Sequence, residues 1–376
     1  MSEQNEHETR STPRATTAAA RETNSASVPS FALVGAGVIG RHHGQVISQL
    51  ADRLRLAAVV DVVPERAAEL ASARGGNPYT SLGDALMAEE IDVVVVCTPT
   101  GHHGSVAIEA LEAGKHVIIE KPAEITVERT DEIIQARDKA GTLATVISQH
   151  RFDPATEKTL AAIAAGEFGR VSSGIAAIDW WRGQSYYDSG DWRGTWELDG
   201  GGALMNQGVH TVDLLVAALG RPVEVFAYTG TLAHERIEVE DVAAGVVRFE
   251  SGALGVLHAS TSAYPGLSAR LQVHGDRGSA VIDNDELAFF HATPVGQAIE
   301  QRLMGTTQAT SSGGAETASS NPGALSDAHR RQYLNFLDAL AGTARLRIDL
   351  ETNRQSIAVI TGAYESARTG KPVRLG

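Results

Sequence analysis

Residues 30–40 read SFALVGAGVIG, an apolar run that opens into glycines at 35, 37 and 40. The spacing is G-x-G-x-x-G, which alone marks nothing more than a glycine-rich turn. Its surroundings decide the reading. The run before it is apolar without alternation, as in a strand buried on both faces, and a helical pattern follows. A second apolar run, LAAVVD (56–61), ends in Asp61, 21 residues after Gly40. Strand, tight turn and helix N-terminus in that order make a cradle for a pyrophosphate, because the first helical turn offers unpaired N–H groups and the positive end of a dipole. Gly35 permits the turn, Gly37 lets backbone approach the phosphates and Gly40 lets helix and strand pack closely. Val38 and Ile39 lie in the turn that meets the anion. Asp61 is placed to accept hydrogen bonds from the adenosine ribose hydroxyls and would repel a 2′-phosphate, so the pattern predicts NAD over NADP.

Further strands follow in DVVVVCT (92–98), HVIIEKP (116–122) and LATVISQH (143–150), with helical patterns over 64–74, 104–113 and 127–140. Apolar strands alternating with helices predict a parallel sheet covered on both faces over 29–150. After 150 the texture changes. A helical piece (155–165) precedes long β-prone segments at 171–181, 223–231, 242–261 and 268–283, joined in part by the turns ESG (250–252) and GDRG (275–278). Hairpins of this kind predict an α+β domain on an antiparallel sheet over 151–376. Within it, 305–325 is Ser/Thr/Gly-rich and reads as a mobile loop, and helices are expected near 327–341 and 352–368.

The chain has 376 residues, 43% hydrophobic and 21% charged, with a formal net charge of −14. That is a globular composition with room for two cores. The negative surface disfavours nucleic acid and anionic membranes as partners. No apolar run approaches the roughly 20 residues that span a bilayer. Residues 1–28 are polar and of low complexity, which reads as a disordered tail rather than a signal peptide. The single cysteine, Cys97, fits a reducing cytoplasm.

The chemistry-bearing residues gather where the predicted strands end. CTPTGHH (97–103) and EKP (120–122) both fall at carboxyl ends, where ligands of such sheets bind. That places Thr98, Pro99, His103, Glu120 and Lys121 beside the cofactor. Adjacent histidines, His102–His103 and His42–His43, read as loop residues rather than a metal pair, and no metal is expected. Lys121 precedes a proline and is therefore extended. It is either an ordinary solvated lysine or an ammonium that steadies a developing alkoxide. In GGGALMNQGVHTVD (200–213) a helix would put Asn206, His210 and Asp213 on one face, as a catalytic histidine with a polar partner or as a helix that packs. The stretch 179–202 holds all four tryptophans, and Trp192 and Arg193 are candidates for covering a sugar; sealing an interface is the equal alternative. Arg151 either meets substrate or forms an internal salt bridge.

Taken in order, GAGVIG, CTPTGHH, ALEAGKHVIIEKP, QHRFDPA, GGGALMNQGVHTVDLL and YESARTGKPV resemble the glucose–fructose oxidoreductase, inositol dehydrogenase and rhizopine-catabolism family over residues 30 to the C-terminus. The resemblance implies a Rossmann domain plus a domain with a large, open, mainly antiparallel sheet. It implies oxidation or reduction of a secondary alcohol or carbonyl on a sugar, cyclitol or glycoside with NAD(P). The family's EKP lysine falls on Lys121 and its catalytic histidine on His210, with the trailing acid at Asp213. Where inositol-dehydrogenase-like members carry an aspartate, this chain has Asn206, as do members acting on nucleotide-linked amino-sugar acids. Arg151, Trp192, Arg193, Asn206 and His210 are the expected substrate contacts. A homodimer or homotetramer is implied through the second domain. A nucleotide-sugar 3-dehydrogenase, a sugar–sugar oxidoreductase that retains its nucleotide and a non-catalytic dinucleotide-binding regulator are the rival readings.

Overall fold

The computed structural model describes residues 28–297 and 322–376. The expected tail therefore lies outside the described residues except for Val28, and the expected loop over 305–325 does so up to residue 321. Residues 322–325 are not loop, since a helix begins at Pro322.

Six parallel strands form the first sheet in the order β3-β2-β1-β4-β5-β6. They are β1 (Ser30–Val34), β2 (Arg55–Val60), β3 (Asn77–Tyr79), β4 (Val93–Val96), β5 (His116–Ile119) and β6 (Ala144–Val146). Helices α1 (Val38–Ser48), α2 (Pro64–Arg74), α3 (Leu82–Ala88), α4 (His103–Glu112) and α5 (Val127–Ala140) connect them. The four valines of β4 are wholly buried, which accounts for the unbroken apolar runs. The short β3, with Pro78 at its centre, and α3 have patterns too weak to stand out in the sequence.

The second sheet has eight strands in the order β13-β12-β11-β7-β10-β9-β8-β14. These are β7 (Val171–Asp179), β8 (Pro222–Gly230), β9 (Val242–Phe249), β10 (Leu254–Ser260), β11 (Ala269–Gly275), β12 (Gly278–Asp283), β13 (Glu286–Ala292) and β14 (Val373–Arg374). All neighbours are antiparallel except β7 and β10. Both expected turns join hairpins, β9–β10 and β11–β12. Helices α6 (Pro154–Ala164), α8 (Val209–Leu219) and α10 (Leu350–Thr369) pack on one face, with a short α7 (Gln184–Tyr187) outside it. At Gly174 an added Cβ would lie 2.7 Å from Leu215 and 3.0 Å from Leu219, so glycine sets how closely α8 sits on β7.

The expected division near residue 150 is crossed by α9 (Pro322–Leu340). Its Tyr333, Phe336 and Leu337 belong to the same buried cluster as Phe31, Leu33 and Val46 of the first domain. The chain thus returns to complete the core beside the first glycine turn.

Candidate active site

The glycine turn has the geometry its spacing demands. Gly35 has φ +99°, and an added Cβ would lie 2.5 Å from the Cys97 carbonyl oxygen. At Gly40 it would lie 1.8 Å from the Gly35 carbonyl oxygen. At Gly37 nothing lies within 4 Å, so the middle glycine faces open space where a phosphate has room. No side chain caps α1, whose first N–H groups point the same way. Asp61 closes the turn: its Oδ2 accepts from Ala36 N–H at 2.7 Å and its Oδ1 from Val63 N–H at 2.9 Å. Lone pairs remain on the carboxylate for ribose hydroxyls. The buried Thr98 Oγ1 has no protein partner, which fits a bound dinucleotide.

The paired histidines are not surface residues throughout. His103 is buried, its ring nitrogens 2.7 Å from the Pro122 carbonyl and 2.9 Å from that of Thr98, so it ties the loop after β4 to the loop after β5. His43 is also buried, with Nδ1 2.7 Å from Tyr333 Oη and Nε2 2.8 Å from Glu120 Oε1. Glu120 is itself buried. Burial alone would push its carboxyl up, but bonds from His329 and His43 hold it well below the usual range. Its other oxygen accepts from Lys121 N–H at 2.9 Å. The Glu120 carboxylate therefore faces the protein interior, not the cofactor; it organises the backbone that presents Lys121.

The Lys121–Pro122 bond is cis. Lys121 Nζ donates to the Asn206 carbonyl oxygen at 3.0 Å. Burial lowers its pKa from the ordinary 10.5, opposed by Glu120 and Asp199 and assisted by Arg182 and Arg193. Residues 203–207 form a π-helical turn, with Gly208 N–H bonded to the Ala203 carbonyl, and α8 begins only at Val209. The wider turn removes the four-residue facing of Asn206 and His210 expected of an α-helix. The Asn206 amide turns instead to Asp199, donating to its Oδ1, and accepts from Gln207 Nε2 at 2.8 Å. Asp199, from WELDGGG, was missed although it sat in a stretch already suspect for its aromatic residues. Its carboxylate accepts from the Asn206 amide and favours the charged form of Lys121, and burial raises its own pKa. Glu240 secures the turn from below, accepting from Gly202 and Leu204 N–H and from Tyr364 Oη.

His210 stands at the start of α8. Its ring meets that of His150 edge to face, with centroids 4.9 Å apart. Its Nε2 is 3.4 Å from Gln149 Nε2. Burial, then the charges of His150 and Lys121, hold its pKa well below the usual 6.5. His210 is thus an uncharged imidazole at neutral pH, able to accept a proton. Gln149 and His150 come from the QHRF motif, whose arginine was the expected contact. Arg151 is instead buried and bidentate to Asp213, Nε to Oδ2 at 2.6 Å and Nη2 to Oδ1 at 2.7 Å, with Ser356 on the same carboxylate. The internal salt bridge is the correct alternative for Arg151.

Above Lys121, Arg193 stacks between Tyr186 and Trp192, 4.3 and 4.4 Å from the ring centroids. Arg182 lies over Trp180 and donates to Gln207 Oε1 at 2.8 Å. Both guanidiniums are half-buried, and neither forms an ion pair among the described residues.

Two family models match this arrangement. The oxidoreductase family with an NAD-binding Rossmann fold covers residues 30–148, and the GFO/IDH/MocA C-terminal domain covers 156–281. The chain belongs to the GFO/IDH/MocA oxidoreductase family. An inositol 2-dehydrogenase of Rhizobium meliloti is 30% identical, covering 68% of this chain and 75% of its own. An uncharacterized oxidoreductase of Bacillus subtilis, YrbE, is 30% identical over 67% of this chain and 73% of its own. The WlbA dehydrogenase of Bordetella pertussis, solved with NADH and UDP-GlcNAcA, superposes with a TM-score of 0.80 at 32% identity, covering 93% of this chain and 99% of that one. This family member is an NAD-binding dehydrogenase of CH–OH groups. Among the described residues no helix is long and apolar enough to cross a membrane.

Proposed function

We propose that the chain oxidises a secondary alcohol on a sugar or sugar derivative, with His210 as general base and Lys121 as the group that holds the reacting oxygen. The observation that carries this reading is the juxtaposition, at the mouth of the dinucleotide cradle, of an uncharged imidazole and a half-buried ammonium. Oxidation of CH–OH gives up a hydride and a proton. NAD, when bound, supplies the hydride acceptor; the protein must take the proton and stabilise charge on oxygen. Lys121 donates to that oxygen while His210 accepts its proton, and the same groups run in reverse for reduction. Asn206 and Asp199 hold the ammonium through the turn carbonyl and nearby charge.

A narrower reading is favoured by one observation. Arg182 and Arg193 are half-buried cations with aromatic faces behind them and form no ion pair among the described residues, the Asp199 carboxylate acting on Arg193 only through space, in a chain whose net charge is −14. Such a pair suits a substrate that brings its own anion, and a nucleotide-linked sugar acid meets that requirement. The likeness to WlbA and the asparagine at 206 support it. NADH formation with UDP-GlcNAcA, myo-inositol and levoglucosan, each with NAD and NADP, tests both readings. Turnover of the acid alone, with KM raised in an Arg182→Met, Arg193→Met double variant, supports the narrower one; turnover of neutral sugars alone overturns it. Tight nucleotide binding without turnover of any sugar would favour a regulator, and no free NADH despite sugar interconversion would favour a retained nucleotide.

We also propose that the second sheet pairs with another copy of the chain. Phe226, Val246, Val256 and Ile175 form a cross-strand apolar row on the face away from α8 and α10, with Val246 and Val256 exposed. Such a row is the material of a subunit contact. A Val246→Glu, Val256→Glu variant should sediment as a smaller species than the wild type; unchanged sedimentation would remove this face as the contact.

A further inference from the structure

His150 is held more tightly than a packing residue requires. Its Nδ1 faces two carboxylates from different parts of the fold, Asp153 Oδ2 at 2.8 Å and Asp285 Oδ1 at 3.0 Å. Asp153 lies at the N-terminus of α6, and Asp285 in the β12–β13 turn at φ +68°. The same ring makes an edge-to-face contact with His210. A sheet turn, a helix start and the QHRF segment thus converge on one imidazole, whose only aromatic neighbour among the described residues is the proposed base.

We propose that His150 is a positioning residue that acts on the reaction through His210: clamped as a cation by Asp153 and Asp285, it holds the neighbouring imidazole in place and uncharged. This rests on the reading of His210 as base. Two anions on one ring nitrogen favour the imidazolium, and a cation 4.9 Å away disfavours a second charge on His210. The direction of both shifts agrees. The two aspartates outweigh burial and lift His150 to about 10, whereas His210 is depressed. Other charges facing His210 are Lys121, which adds to the effect, Glu120, which opposes it, and His329. Arg151 and Asp213, in the same segments, neutralise each other.

The arrangement has a use in the oxidation direction. A base that was already charged would have no site for the substrate proton. A histidine clamped by ordinary hydrogen bonds to carbonyls would orient the ring equally well, but it would not repel that charge. The carboxylate pair therefore points to electrostatic tuning rather than packing alone. Asp285 is the more exposed of the two, and asparagine tolerates its left-handed backbone, so its charge can be removed without disturbing the turn.

The test needs no substrate. The full chain, labelled with [15N]histidine and saturated with NAD, is titrated by NMR; a His210→Gln variant assigns one resonance and His150→Asn the other. In the wild type His150 should remain an imidazolium at pH 8. In His150→Asn the His210 midpoint should rise by about one pH unit. In His150→Lys, which keeps the positive charge, it should stay near the wild-type value, and Asp285→Asn should move it part of the way up. The proposal is overturned if His150 titrates near 6.5, if the His210 midpoint is the same in His150→Asn, or if Lys and Asn at 150 shift it equally. Because the readout is protonation, its failure is separable from that of the functional reading, which falls instead if His210→Gln turns over normally.

Discussion

Lys121 reaches from the end of β5 to the π-helical turn, where its Nζ lies 3.0 Å from the Asn206 carbonyl oxygen. That one bond links the cofactor domain to the segment carrying His210. It also spends one of three ammonium donors on the protein and leaves two for a substrate oxygen.

The pH dependence of turnover follows from the two groups. His210 must be uncharged to accept a proton, and its pKa lies well below 6.5, so kcat/KM in the oxidation direction should stay level as pH falls through 6.5. Lys121 must be charged to donate, and its pKa lies below 10.5, so activity should decline on the alkaline side before the ordinary lysine range is reached. A kcat/KM profile with an acid limb centred at 6.5 or above would contradict the assignment.

Gly37 and Gly40 should respond differently to the same substitution. At Gly37 an added methyl meets no protein atom, so Gly37→Ala should keep the melting temperature and weaken NAD binding, by about tenfold or more if the phosphates approach as expected. At Gly40 the methyl collides with the Gly35 carbonyl, so Gly40→Ala should lower stability itself. Calorimetry with and without NAD separates the two effects; equal affinity in Gly37→Ala would show that the cradle holds no phosphate there.

Arg151 and Asp213 make a second contrast. The pair is buried and bidentate, and removing one partner strands the other charge. Asp213→Ala should cost about 3–5 kcal/mol of stability in denaturant unfolding. Were Arg151 a substrate contact, Arg151→Met would raise KM and leave unfolding unchanged.

Much of this was legible in the sequence because it rests on local rules. The glycine spacing, apolar strands and hairpin turns each report a backbone requirement confined to a few residues, and all three led to the observed sheets. Lys121 was legible because its strand-end position follows from the same pattern. Asn206 was not, because a helical wheel assumes an α-helix, and the π turn that rotates Asn206 toward Asp199 is fixed by Glu240 and Tyr364 from distant segments. His43 and His103 looked like loop histidines since their partners, Glu120, Tyr333 and the Pro122 carbonyl, lie 19 or more positions away. The role of Arg151 depended likewise on Asp213, 62 positions on.

Everything proposed for turnover depends on His210 taking the substrate proton. The direct measurement is steady-state NADH formation by His210→Gln, alongside its NAD affinity, with whichever sugar of the panel the wild type oxidises. Loss of the base should reduce kcat by about 10²–10⁴-fold with NAD affinity within a factor of about two of wild type. Turnover near the wild-type rate would contradict it.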